Sequence, residues 1–211
     1  NKAVALREIN IPTFPCKLTA PQNNHLDKLS LQTFELAPPL ENEVQIQVCY
    51  SGLNFRDVLK ILGQYPGNDL RLGCEYSGII TKTGSNVRNL KEGQKVAGLY
   101  FESLASHINV ASEFAVPVCK NLNLATAATL PVCSLSISIP LANINIPPKS
   151  SILIHTASGG LGSFAFAYFS SRNTSIYVTS HGIHKKHYLL SKEITAHADS
   201  RSNKFKAEFE K

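Results

Sequence analysis

No methionine occurs anywhere in the 211 residues, position 1 included. A chain that begins at Asn1 without one reads as an excised domain or a processed fragment. Cysteine is sparse and unpatterned: the five, at positions 16, 49, 74, 119 and 133, form no CxxC pair and no finger spacing. That excludes a disulfide scaffold and a thiolate zinc module, and it points to reduced thiols and a cytoplasmic setting. Long apolar runs are missing as well. The one candidate is broken by Pro131, Pro140, Pro147 and Pro148, so no segment reads as a membrane span. Asn1-Lys2-Ala3-Val4 opens no signal-peptide hydrophobic region. The formal charge of +6 is scattered rather than gathered into a basic stripe with interleaved aromatics, which argues against a nucleic-acid partner.

What is present is an ordinary globular composition, 43% hydrophobic and 17% charged, in a chain long enough for one large domain or two small ones. Its character changes near residue 140. Upstream, Val44-Gln45-Ile46-Gln47-Val48-Cys49-Tyr50 alternates apolar and polar residues as a half-buried strand does. Residues 76–83, 95–99, 104–110 and 115–118 predict further short strands, and residues 55–62 predict one helix. Short strands between turns predict a compact β barrel or sandwich. Downstream, Ser151-Ile152-Leu153-Ile154-His155 has the composition of a buried parallel strand. A helix over 163–171, a strand over 176–179, a helix over 184–191 and a strand over 195–198 complete a β-α-β-α-β run, half of a doubly wound nucleotide fold. The expected fold class is α/β, with a β-rich part at residues 1–140 and an incomplete nucleotide-binding part at residues 141–211.

Between the strand at 151 and the helix after it lies Thr156-Ala157-Ser158-Gly159-Gly160-Leu161-Gly162. Glycines there let the backbone approach a pyrophosphate, and the helix N-terminus behind them offers unpaired N–H groups and a favourable dipole. The spacing is not G-x-G-x-x-G, so the strand–turn–helix context carries the reading; the alternative is an ordinary tight turn. The second strand runs into Thr179-Ser180-His181-Gly182-Ile183-His184-Lys185-Lys186, which holds no acid. Binders of NAD place Asp or Glu there for the ribose, whereas binders of NADP avoid the acid and supply cations. A 2′-phosphate is therefore favoured, with Ser180 and Lys185 as its first contacts; the alternative is a solvated helix start. His184 and His187 share a helix face, but no third ligand joins them and no metal is expected.

Several segments together carry a resemblance: Gly52-Leu53-Asn54-Phe55-Arg56-Asp57-Val58-Leu59, Leu62-Gly63-Gln64-Tyr65-Pro66-Gly67, Leu72-Gly73-Cys74-Glu75-Tyr76-Ser77-Gly78, Leu90-Lys91-Glu92-Gly93, Ala127-Ala128-Thr129-Leu130-Pro131-Val132, residues 157–162 and Ser200-Arg201. Over residues 40–205 the chain resembles the enoyl-reductase domains of polyketide and fatty-acid synthases. These are zinc-free members of the medium-chain dehydrogenase/reductase superfamily, similar to quinone oxidoreductases. The resemblance implies a GroES-like barrel with a Rossmann-like domain, and NADPH-dependent reduction of a trans-2-enoyl thioester carried on an acyl carrier protein. Hydride would go to the β-carbon and a proton to the α-carbon. Neighbouring synthase domains, and a homodimer, are the partners it allows.

On matched positions the resemblance assigns Gly159, Gly160, Leu161 and Gly162 to the pyrophosphate, and Ser180, Lys185 and Lys186 to the 2′-phosphate. Arg201 is assigned to the adenosine end and Asn54 to the nicotinamide end. Ser136 stands where the family has a threonine near the nicotinamide amide. Tyr65 is the catalytic candidate, a phenol able to act as general acid if held near the α-carbon; a pocket-wall role is the alternative. Arg56 and Asp57 are read as an ion pair fixing their loop, and Glu75 as a buried structural acid. Cys74 precedes Glu75 where the superfamily's zinc enzymes have His, and the Asn54 turn carries no Cys, so no metal is implied. Three departures stand out. Ser138-Ile139-Pro140 replaces an aromatic-containing helical stretch, and a proline there kinks or ends a helix. Gln94 replaces an Asp after Gly93. The chain stops at Lys211, where the family continues. A stand-alone quinone or alkenal reductase of the zeta-crystallin type, and a non-catalytic degenerate remnant, are the competing readings.

Overall fold

The structure, a computed structural model, describes residues 14–20, 29–202 and 205–209. The start at Asn1, read above as lacking a signal-peptide region, and the end at Lys211 lie outside them. The chain divides into two compact units, Asn1–Val132 and Cys133–Lys211.

In the first unit, β1 (Cys16–Thr19) pairs antiparallel with β2 (Ser30–Thr33). The main sheet is built from β3 (Glu43–Ser51), β4 (Glu75–Thr83), β5 (Lys95–Leu99), β6 (His107–Ala111) and β7 (Ala115–Pro117). It is antiparallel throughout, in the order β6-β3-β4-β5-β7. Helix α1 (Phe55–Ile61) leaves the end of β3, and a short α2 (Leu124–Ala127) follows β7. The alternation in β3 puts Val44 and Ile46 in the core and Gln47 outside. Gln45 breaks the alternation and is itself buried. Its amide donates to the Ala37 carbonyl at 3.2 Å and to Asn109 Oδ1 at 3.3 Å, which meets the requirement that a buried polar group be bonded. The irregularity comes from register shifts between β3 and β4 at Gln45/Ile46 and Val48/Tyr50; such bulges bend a strand and increase its twist.

The core of this unit gathers Val44, Ile46, Tyr76, Ile80, Val96 and Ile108. The Tyr76 phenol donates to the Phe114 carbonyl at 3.0 Å, and burial raises its pKa far above the usual tyrosine value. The strand expected to begin at 104 begins at His107 instead. Leu104 N–H is taken by the Leu72 carbonyl and Ser106 N–H by that of Cys16, so the backbone there is satisfied outside the sheet.

The second unit carries β8 (Ser151–Ile154), α4 (Gly160–Ser170), β9 (Ser175–Ser180), α5 (Ile183–Leu190), β10 (Ala196–Asp199) and α6 (Phe205–Phe209). The helix α3 (Pro131–Leu141) spans the division between the units. The strands form a parallel sheet in the order β10-β9-β8, with Ile154, Ala157, Ala165, Phe169, Ile176, Val178 and Leu189 as its core. The fold is thus mixed α/β, with a β-rich first unit and a Rossmann-like parallel sheet in the second. Pro140 sits one residue from the end of α3, where its missing N–H costs one bond in the last turn, and the Ala142 N–H beyond it still reaches the Ser138 carbonyl at 2.9 Å. Helix α4 begins at Gly160, three residues before the expected 163, because the glycine turn is itself its first turn. Helix α6 lays Phe205 edge-on to His155 at 5.1 Å and Phe209 against Tyr177 at 5.3 Å. Among the described residues no helix is long and apolar enough to cross a membrane.

Candidate functional site

The glycine turn is held from both sides. Leaving β8, Thr156 adopts φ 52°, a left-handed conformation that is strained for a β-branched residue and tends to persist only where surroundings enforce it. Here the Thr179 hydroxyl accepts from Thr156 N–H at 3.2 Å, and the Thr179 carbonyl accepts from Ala157 N–H at 3.0 Å. Gly159 caps α4 in extended conformation, and the first intrahelical bond runs from Ser163 N–H to its carbonyl at 2.8 Å. The N–H groups of Gly160, Leu161 and Gly162, in the first turn, have no acceptor within the helix.

The three glycines do different work. A Cβ on Gly162 would lie 2.6 Å from the Thr156 carbonyl oxygen and 2.7 Å from Ala157 Cα, so only glycine lets the helix pack this close to the strand. A Cβ on Gly160 would meet nothing within 4 Å, and one on Gly159 would meet only the Thr156 oxygen at 3.4 Å. These two leave open space in front of three unpaired donors and the positive end of an 11-residue helix. The cradle therefore fits a pyrophosphate. Leu161 is exposed beside it.

At the end of β9, Ser180 is buried and its hydroxyl bonds His197 Nε2 at 2.9 Å. Ser180, His181, Gly182, Lys186, His197, Asp199 and Glu208 line one cleft of about 390 Å³. The structure brings Ser180 and Lys186 together there. Lys185 and Arg201 are exposed outside that lining. Burial lowers the His197 pKa, and the nearby Lys186 ammonium adds to the effect. His197 and Asp199 escaped sequence reasoning because they reach the end of β9 from β10. The parallel register sets Asp199 opposite Ser180, and that register is not written in local spacing.

In the first unit, Asn54 caps α1. Its N–H donates to Asp57 Oδ2 at 2.9 Å, and its side-chain amide donates to Glu75 Oε1 at 3.0 Å. Glu75, buried, accepts a second bond from Val132 N–H at 2.9 Å. Arg56 and Asp57 do fix the loop, but not as an ion pair. Asp57, fully buried, also accepts from Gly73 N–H at 2.8 Å, while an Arg56 guanidinium N–H donates to the Gly73 carbonyl at 3.3 Å and its plane lies over Phe101. Backbone N–H groups satisfy Asp57, whereas Arg56 has its bond to the Gly73 carbonyl and its buried Nε finds no hydrogen-bond partner among the described residues. Tyr65 is half-buried, with the Lys60 ammonium 5.4 Å from its ring centroid. Lys60 is itself buried, bonding Asp69 at 3.0 Å and the Arg71 carbonyl at 2.8 Å. The Arg71 guanidinium, with Lys60, holds the Asp69 carboxyl well below the usual carboxylate range. Burial pushes the Cys74 thiol up to about 11, so at neutral pH it is no thiolate. Ser136 is exposed on α3. Among the described residues no three His, Cys, Asp or Glu side chains gather as a metal site.

Comparison with known proteins gives this geometry a family. Residues 40–119 match the alcohol dehydrogenase GroES-like domain. The chain is 31% identical over 193 residues to a phenolphthiocerol/phthiocerol polyketide synthase polypeptide of Mycobacterium tuberculosis, covering 90% of this chain and 9% of that protein. The crystal structure of the CurK enoyl reductase superposes with a TM-score of 0.85 at 31% identity, covering 92% of this chain and 62% of that one. The Escherichia coli quinone oxidoreductase complexed with NADPH, at 24% identity and a TM-score of 0.80 over 92% of this chain and 61% of its own, shares the fold. The chain is a member of the medium-chain dehydrogenase/reductase superfamily. Within that superfamily it is an enoyl-reductase-type domain, similar to those of polyketide synthases. It spans a small part of the curated synthase and about three fifths of the solved reductase.

Proposed function

We propose that the chain belongs to an NADPH-dependent reductase of trans-2-enoyl thioesters, acting in the cytoplasm on substrates presented by an acyl carrier protein among neighbouring synthase domains. The observation that carries this reading is the division of labour in the glycine turn. Gly162 is closed by packing, while Gly159 and Gly160 stay open before the unpaired amides of α4. Those amides bind the pyrophosphate, and Ser180 and Lys186 hold the 2′-phosphate from the cleft they share, with Lys185 and Arg201 nearer solvent. Residues 141–211 bind the cofactor and residues 1–140 shape the substrate side. Asn54 and Ser136 are assigned to the nicotinamide end. When bound, the dinucleotide supplies the hydride.

The chain's own part in the chemistry falls to Tyr65. Its hydroxyl makes no hydrogen bond to another described residue, so it is free to give a proton to the α-carbon of a bound enoyl thioester, as a positioned phenol can. The Lys60–Asp69 pair and the Lys60–Arg71 bond fix the segment that carries it.

The test is turnover. Purified chain mixed with NADPH and a crotonyl thioester should consume nicotinamide absorbance, and Tyr65→Phe should slow the reaction or change the configuration at the α-carbon. Consumption with a naphthoquinone and none with the thioester would move the reading to a quinone reductase. No turnover with either acceptor would leave a non-catalytic remnant.

A further inference from the structure

The absence of an acid on the second strand is what favours NADPH from sequence. In the folded chain, an acid reaches the same place from the neighbouring strand. Asp199 ends β10 and lies opposite Ser180, the last residue of β9, in the parallel register. Both residues line the cleft that also holds Lys186 from α5, His197 from β10 and Glu208 from α6. The charges facing that cleft are therefore mixed, with Asp199 and Glu208 against Lys186 and the titratable His181 and His197.

The Asp199 carboxylate is not idle. His181 Nδ1 lies 3.1 Å from Oδ1 and 3.3 Å from Oδ2, and Arg201 N–H donates to Oδ1 at 2.9 Å. Those two bonds, the Arg201 amide first, hold its pKa below the ordinary carboxylate value, so the group is charged at neutral pH. Because a carboxylate only accepts, His181 must present a proton on Nδ1. An ionised acid beside the end of the second strand does two opposite things to a dinucleotide. It offers an acceptor to ribose hydroxyls, and it repels a phosphate ester placed on the 2′-oxygen.

We propose that Asp199, braced by His181, is the residue that sets this chain's preference between adenosine groups with and without a 2′-phosphate. Its charge opposes the phosphate that Ser180 and Lys186 attract. The proposal rests on the adenosine end binding in this cleft. Asp199 is a specificity-determining residue supplied by β10 in place of the acid that β9 lacks, and His181 tempers it by taking up part of its hydrogen-bonding capacity.

The test is calorimetric titration of the whole chain with 2′,5′-ADP and, separately, with 5′-AMP. Asp199→Asn keeps an oxygen to accept the Arg201 N–H and removes the charge. It should tighten 2′,5′-ADP by about three- to fivefold, the scale of an exposed charge interaction, and leave 5′-AMP unchanged or weaker. His181→Gln, which loosens the brace, should move the ratio the other way. Equal shifts for both ligands, or no shift, overturn the proposal and leave Asp199 a turn-forming residue. A folded wild-type chain that binds neither ligand removes the adenosine site and the NADPH reading together, whereas wild-type binding with an unresponsive variant removes the proposal alone.

Discussion

Gly160 and Gly162 are two residues apart in one turn, yet they answer to different demands. The first borders open space and the second fills a gap too narrow for any side chain. Gly162→Ala forces its methyl against the Thr156 carbonyl and the Ala157 backbone, and overpacking of that kind costs about 1–3 kcal/mol. Its melting temperature should drop by several degrees while that of Gly160→Ala stays near wild type. Thermal denaturation followed by circular dichroism decides this, and equal melting temperatures for the two variants would contradict the packing account. The strain stored at Thr156 belongs to the same picture, since the Thr179 hydroxyl and carbonyl hold the turn from the next strand.

At the scale of elements, the start of α1 is tied to the rest of its unit through one buried acid. Glu75 on β4 accepts from the Asn54 side chain and from Val132 N–H. Glu75→Ala strands both donors, and leaving buried donors unpaired costs about 1–3 kcal/mol apiece. Urea denaturation should show that loss for Glu75→Ala and a smaller one for Glu75→Gln, which keeps one acceptor; equal losses would mean that the side chain only fills space. The element pattern explains what could be read beforehand. The strands β3, β4 and β5 were legible because their alternation and bounding turns are local, and α1 because its apolar residues recur at helical spacing. The pair β1–β2 was not, since four residues carry too little pattern and all of β2 is exposed. The start of α4 was hidden because glycines, poor helix formers, make up its first turn. The same logic governs the site. The contiguous turn 156–162 and Ser180 stand together in the sequence, but the sequence put Lys185 ahead of Lys186, and it is Lys186 that lines the cleft, while His197 and Asp199 depend on a strand register that only folding defines. The expected Arg56–Asp57 ion pair gave way because the N–H groups of Asn54 and Gly73 take both Asp57 oxygens, while Arg56 reaches the Gly73 carbonyl and lies over Phe101.

Taken together, the described residues form two apolar cores, one on the antiparallel sheet and one on the short parallel sheet, and each unit carries part of the proposed chemistry. The first contributes the Asn54–Glu75–Asp57 scaffold and Tyr65; the second contributes the glycine turn and the Ser180 cleft. It matches an enoyl reductase along nearly all its own length while spanning 62% of that reductase. Whether these 211 residues form a working cofactor site is thus a question for the chain as it stands. Titrating NADPH into the purified chain in a calorimeter answers it most directly. The account predicts saturable binding of one NADPH per chain. A chain that is folded by circular dichroism and yet gives no saturable heat would contradict it.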